Sequence, residues 1–121
     1  MIGRLWNETR DALLADKAEL ALAAGARLKG LLGRDGLPEG SALVIRPCTS
    51  IHTFFMRFPI DVIFLDDGGK VLRAIPAMPP WRLTRLYPRA ACVAELPAGT
   101  LQRTGTAEGD RVLLSAGGTS R

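Results

Sequence analysis

The side chain best suited to acid–base chemistry in this 121-residue chain is its one histidine, His52. Imidazole is the side chain whose ordinary pKa lies nearest neutrality, so His52 is the natural candidate for a general base. A carboxylate, either Asp61 or Glu95, would have to orient it, and the pair would then predict a hydrolase-type enzyme. A single histidine among aromatic residues is more often a hydrogen-bonded residue of the core or rim.

The two cysteines, Cys48 and Cys92, offer a thiol or a metal ligand. Cys48 with His52 as base would make a nucleophile, but four residues of extended strand span about 13 Å, so the pair needs a turn, which Pro47 could begin. A zinc set of both cysteines, His52 and Asp61 matches no standard ligand spacing. Free cysteines are commonly small buried apolar residues. We therefore predict no metal site and no cofactor.

Asp61 is the most informative acidic residue because it lies inside the apolar run Ile60–Leu65. Burying an unpaired charge costs several kcal/mol, so the carboxylate should meet Arg34, Arg57 or backbone N–H groups. Structural pairing is the simpler interpretation. The alternative is a cluster of Arg34, His52 and Asp61 that binds an anion or another polar ligand.

Residues 73–89 carry four arginines, with Trp81 and Tyr87 between them. Arginines interleaved with aromatic rings are typical of surfaces that bind single-stranded nucleic acid or a phosphorylated ligand. The formal net charge is +4, which is modest for a nucleic-acid-binding protein. We predict ligand contact through Trp81 and Arg82, and nucleic acid is a less favoured partner than a small polar ligand or a protein segment.

The elements that position these side chains are predicted to be mainly short strands, because apolar runs of four to six residues alternate with Gly, Pro and Asp turns. In residues 51–58, strand geometry would place His52 and Met56 on one face, and Pro59 would bend the chain. Three prolines predict an irregular loop over 76–82. The predicted strands are 4–6, 12–14, 42–45, 61–65, 71–75, 90–96 and 111–114, with a helix over 21–32 and a helical turn over 100–104.

These elements predict a mainly β (α+β) fold, a small barrel-like bent antiparallel or mixed sheet with one covering helix and short helical turns. One domain over 1–114 and a flexible tail over 115–121 account for the length. Charged residues interrupt the N-terminal region, and no stretch approaches the ~18 apolar residues of a membrane span. We therefore expect a cytoplasmic protein without membrane contact.

Several segments, in chain order, resemble the domain-of-unknown-function 192 family of small bacterial and archaeal proteins. The resemblance implies a compact β-rich, barrel-like fold and no established activity. The matching residues are Arg27 with Gly-Leu-Leu-Gly-Arg at 30–34, Phe-Met at 55–56, Pro-Ile-Asp-Val-Ile-Phe-Leu-Asp at 59–66, Glu-Leu-Pro-Ala-Gly at 95–99 and Gly-Asp-Arg-Val at 109–112.

The sequence as a whole favours a binding module, a small β-barrel whose rim holds a small polar ligand or a protein segment. The hydrolase-type enzyme with His52 as base, and nucleic-acid or phosphate binding through the loop 73–89, are the alternatives. The residues assigned to the rim site are Arg34, His52, Met56, Asp61, Trp81 and Arg82.

Overall fold

The computed structural model describes residues 2–21 and 35–116, and these form one seven-stranded sheet with a single short helix. The sequence-based prediction of a mainly β fold with a mixed, bent sheet is confirmed. The elements are β1 (Ile2–Asn7), β2 (Ala12–Ala21), β3 (Ser41–Ile45), β4 (Ile60–Leu65), β5 (Val71–Met78), β6 (Cys92–Pro97), α1 (Thr100–Thr104) and β7 (Val112–Ala116).

The sheet curls into a half-barrel. Its strand order is β5-β4-β6-β3-β2-β1-β7; β2 and β3 run parallel, and the other neighbours are antiparallel. The two edge strands approach each other where the N–H of Val112 donates to the carbonyl of Gly69 at 2.7 Å and the N–H of Gly109 donates to Val71 at 2.9 Å. These bonds hold the open sheet in its curled shape.

The strands bury both faces of the sheet. Ile63 and Leu65 of β4 pack with Leu5, Leu96 and Leu101 in a cluster to which all seven strands and α1 contribute, so this face is the inside of the half-barrel. We call it the inner face. Alternate residues of β4 point the other way, into a second cluster on what we call the outer face. Its large members include Ile60, Val62, Phe64, Met56, Met78 and Val93.

The segment between Cys48 and Pro59 is not the strand that the sequence predicts. Its one β-bridge joins His52 to Leu83, and Phe55 has a left-handed backbone with φ of 67°. That conformation is foreign to strands and resets the alternation of side chains. His52 is therefore exposed whereas Met56 is buried, and the predicted common face is wrong.

Strand β5 is longer than predicted. It continues through Pro76 to Met78, so residues 76–78 belong to the sheet rather than to a loop. β5 is an edge strand, and a proline at an edge can leave its missing N–H on the unpaired side. The helical turn predicted over 100–104 is confirmed as α1.

Several predictions fall on residues 22–34 and 117–121, which lie outside the described part of the chain. They include most of the helix predicted over 21–32, the side chain of Arg34 and the end of the predicted tail. Within the described residues, no helix has the length and apolar character needed to span a membrane.

Candidate functional site

Two loops, residues 48–59 and 79–91, cover the outer face of β4 and carry most of the residues that the sequence assigns to a site. They run side by side, because backbone N–H groups of each loop donate to backbone carbonyls of the other. The donor–acceptor pairs include Tyr87 to Thr49 (2.8 Å), Thr84 to Ile51 (3.0 Å) and Thr53 to Arg82 (2.8 Å).

Thr53 joins the two loops most tightly. Its side chain is fully buried, and its hydroxyl donates to the carbonyl of Pro79 at 2.7 Å while accepting from the N–H of Arg82 at 2.9 Å. Its own carbonyl accepts from the N–H groups of Trp81, at 2.9 Å, and Met56, at 3.2 Å. One buried polar residue thus fixes the backbone on both sides of Trp81.

Phe55 and Trp81 both occupy the left-handed region of backbone space, with φ of 67° and 64°. This conformation costs a residue with a Cβ about 1–2 kcal/mol, and such strain is concentrated at functional sites. The two rings touch, with centroids 4.6 Å apart, yet they remain 67% and 55% exposed. The loops therefore hold two large aromatic side chains at the surface in a defined arrangement.

Leucines and arginines extend this exposed region. Leu83, which bridges to His52, and Leu86 are 67% and 60% exposed. Residues 48–59 and 79–91 contain four arginines and neither aspartate nor glutamate, so their charge equals the net charge of +4 for the whole chain. We call this region the aromatic–arginine surface; it comprises Phe55, Arg57, Trp81, Arg82, Leu83, Arg85 and Leu86.

His52 lies beside this surface with its ring stacked on Phe54, the centroids 4.8 Å apart. Its Nδ1 accepts a hydrogen bond from the N–H of Phe54 at 3.2 Å. The neutral ring must then carry its proton on Nε2, which can donate but not accept. Within residues 2–21 and 35–116, no carboxylate hydrogen-bonds to the ring. The hydrolase-type alternative stays a prediction without the orienting acid that it requires.

Asp61 is buried, and backbone N–H groups surround it, which confirms one of its predicted pairings. Its Oδ1 accepts from Ala77 at 2.8 Å, and its Oδ2 accepts from Gly99 at 3.1 Å and Leu101 at 2.8 Å. Ala77 has a left-handed φ of 47°. The carboxylate thus ties β5 and the start of α1 to β4.

Among the described residues of the predicted site, Asp61 lies apart from Met56, Trp81 and Arg82. Asp61 stands opposite Leu96 in register and shares the inner face, whereas Met56 packs on the outer face. Strand β4 separates the two side chains. Trp81 and Arg82 belong to the aromatic–arginine surface, and Arg57 pairs with Asp35 at 2.9 Å instead of Asp61.

Sequence reasoning did not select Phe55, Leu83 or Leu86 for the site. Apolar residues in an irregular segment are ordinarily assigned to the core, and their exposure follows here from the pairing of the loops through Thr53. One signal was available in the sequence. Counting charges along the chain would have shown that the two loops contain arginines and no carboxylates.

Glu95 is a second buried carboxyl, on the outer face of β6 between Leu43 and Val62 of the neighbouring strands. Burial raises the pKa of Glu95 from 4.5 to about 7. In contrast to Asp61, Glu95 accepts no hydrogen bond from a backbone N–H group of the described residues. The group is therefore partly protonated near neutral pH.

Both cysteine side chains are buried, and Cys48 Sγ donates to the carbonyl of Ser50 at 3.0 Å. No group of three or more His, Cys, Asp or Glu side chains in the described ranges is placed to hold a metal ion.

These features define a class of protein, a small mixed-sheet half-barrel whose outer face is covered by two paired loops with exposed aromatic and basic side chains. Residues 6–114 match the model of the DUF192 family, described as "Uncharacterized ACR, COG1430". The chain belongs to this family. The resemblance seen in its sequence motifs is thereby confirmed.

Related proteins and a solved structure agree with this assignment. A UPF0127 protein of Pyrococcus horikoshii is 38% identical over 111 residues, which cover 88% of this chain and 94% of that one. A UPF0127 protein of Thermococcus kodakarensis is 32% identical over 110 residues, covering 88% and 69%. A protein of unknown function from Novosphingobium aromaticivorans has the same fold, with a TM-score of 0.78 and 19% identity over 93% of this chain and 84% of that one.

Replacing Asp61 by alanine should destabilise the protein strongly. Three backbone N–H groups around this buried position would lose their acceptor, and we expect the free energy of unfolding to fall by about 3 kcal/mol. Urea denaturation measures the change. Asp67→Ala, an exposed position in the β4–β5 turn, is the matched control and should change stability by less than about 0.5 kcal/mol. Equal effects of the two substitutions would contradict the role given to Asp61.

Glu95 should make the protein less stable as the pH rises. The unfolded chain releases the proton near pH 4.5 and the folded chain only near pH 7, so stability falls between these values and stays lower above them. The loss amounts to at most roughly 3 kcal/mol.

Glu95→Gln should lack this loss, so its stability relative to that of the wild type should increase from about pH 4.5 to about pH 8. Urea denaturation of both proteins across this range isolates Glu95, because the other carboxyl groups are common to both. A stability difference that does not change with pH would show that Glu95 titrates normally.

Proposed function

We propose that this protein is a non-catalytic binding module that captures an acidic protein segment on its aromatic–arginine surface. One observation carries the proposal: Thr53 fixes two loops in which Phe55 and Trp81, both with left-handed backbones, expose their rings, and the sequence of these loops contains four arginines and no carboxylate. The surface is therefore rigid, apolar and positively charged before any partner arrives.

The apolar part of the surface supplies affinity. Phe55, Trp81, Leu83 and Leu86 are each more than half exposed, and large exposed apolar groups gathered in one region mark interaction sites. Covering them would gain about 25 cal/mol per Å² of apolar area. Because the backbone beneath them is already fixed by hydrogen bonds, a partner orders little of the loop when it binds.

The charge of the surface selects the partner. Arg82 and Arg85 form no ion pair within the described part of the chain, so an acidic segment would meet unopposed positive charge. A second copy of this chain would bring the three arginines of this surface against three more, which opposes association. A segment that combines acidic and apolar side chains matches both properties of the surface.

Single-stranded nucleic acid suits this surface less well. Stacked bases need open aromatic faces, yet His52 stacks on Phe54 with 23° between the ring planes, and Trp81 packs against Phe55 at 58°. Leu83 and Leu86 add aliphatic groups that side chains of a protein cover better than bases do. The binding experiment must therefore distinguish nucleic acid from an acidic protein segment as the partner.

Binding can be measured by fluorescence anisotropy with a labelled peptide that alternates glutamate with leucine. We expect the peptide to bind, and its affinity to fall with salt because ion pairs are screened. Trp81→Ala should weaken binding by about tenfold or more, as expected for a central aromatic residue. Arg82→Gln combined with Arg85→Gln should weaken binding and reduce its dependence on salt.

Matched controls lie elsewhere on the sheet. Leu113→Ala removes an exposed apolar side chain from β7, and Arg103→Gln removes an arginine from α1; neither should alter binding. A peptide with glutamine in place of glutamate should bind more weakly. Unchanged binding by Trp81→Ala would refute the surface, and tighter binding of a labelled oligothymidine than of the acidic peptide would establish nucleic acid as the partner instead.

A further inference from the structure

A cavity of about 330 Å³ opens at the end of the half-barrel opposite α1. Strand β4 separates α1 from the cavity, because α1 contacts Asp61 at one end of the strand and Leu65 lines the cavity at the other. Strand β2 separates them too, since Arg103 of α1 donates to the carbonyl of Leu13 whereas Leu20 lines the cavity. This end of the half-barrel has no helix across it among the described residues.

Part of the cavity wall is apolar, and Arg46, Asp66 and Asp67 contribute polar groups to the rest. A volume of this size is in the range of small-molecule sites and would hold on the order of ten non-hydrogen atoms. Burial raises the pKa of the Cys92 thiol, so this side chain forms a neutral part of the wall. The main apolar lining residues are Leu5, Leu20, Val44, Leu65, Val112 and Leu114.

Arg46 supplies the positive charge at the cavity. Its Nη2 lies 4.0 Å from Cys92 Sγ, and it makes no ion pair with any described residue. Asp66, which also lines the cavity, already accepts hydrogen bonds from the N–H groups of Gly68 and Lys70, both at 2.9 Å. The carboxylate of Asp66 stabilises the β4–β5 turn, so the guanidinium of Arg46 is available to bind an anion.

We infer that this cavity binds a small monocarboxylate with an apolar body. The hydrocarbon would lie against the leucine and valine walls, and the carboxylate would pair with Arg46, whose planar guanidinium matches its geometry. Asp66 and Asp67, which also line the cavity, would repel a second negative charge, which limits the ligand to one carboxylate. The site lies on the inner face, so it is independent of the aromatic–arginine surface.

Octanoate and 1-octanol form a matched pair of probes, because they share the hydrocarbon chain and differ in charge. Calorimetric titration should show octanoate binding the wild type more tightly than 1-octanol does. Arg46→Gln should weaken octanoate binding by about tenfold and leave 1-octanol unchanged, as the loss of one ion pair predicts. Leu114→Trp, which fills the cavity, should abolish the binding of both. Arg103→Gln, at the opposite end of β2, is the control and should bind both probes normally.

Nuclear magnetic resonance locates the bound probe even if Leu114→Trp fails to fold. Octanoate should shift the methyl signals of Leu5 and Val44 in the wild type and leave those of Leu86, on the other face, in place. The inference is overturned if millimolar octanoate does not bind, if Arg46→Gln binds it as the wild type does, or if the Leu5 and Val44 methyl signals do not move. None of these outcomes tests the proposed binding of an acidic protein segment to the aromatic–arginine surface.

Discussion

The complete burial of β4 is the constraint on which the rest of the structure depends. All six of its residues, including Asp61, are buried. A strand of this kind must be covered on both faces, as in sheets packed between two layers. The curl of the sheet and α1 cover the inner face, and the loops 48–59 and 79–91 cover the outer one. Each of the two proposed binding regions follows from one of these covers.

The elements that cover the inner face must also supply hydrogen-bond donors to the carboxylate of Asp61, which lies inside an apolar strand. Helix α1 has five residues and no side-chain cap, because its N-cap is Gly99 with φ of 99°. A helix this short is marginal by itself. Asp61, on β4, accepts from the N–H groups of Gly99 and Leu101 and so caps the N-terminus of α1. The buried carboxylate and the N–H groups at the start of the helix satisfy each other, which fixes α1 at one end of the half-barrel. Among the described residues, no helix crosses the other end.

How much of this could be predicted from the sequence depends on the range of the physical cause. The burial of β4 and the N–H partners of Asp61 were predictable because an apolar run and the cost of a buried charge are local facts. The shared face of His52 and Met56 was not, because a left-handed Phe55 resets the alternation and no glycine marks it. Trp81 and Arg82 could be selected by composition. Leu83 could not, since its exposure depends on the pairing of the loops through Thr53.

The charge of the outer loops is not explained by folding. Within the described chain, the arginines of the two loops make one ion pair, which joins Arg57 to Asp35 outside the loops; both side chains are exposed, so it adds little stability. Arg85 lies over the ring of Tyr87 at 5.7 Å, a contact that lysine or a neutral side chain could replace at small cost. Four arginines without a carboxylate in these two loops instead oppose folding through mutual repulsion, and the left-handed backbones of Phe55 and Trp81 add strain. An acidic partner would relieve the repulsion and cover the rings, so binding gives a single cause for two features that are unfavourable in the free protein.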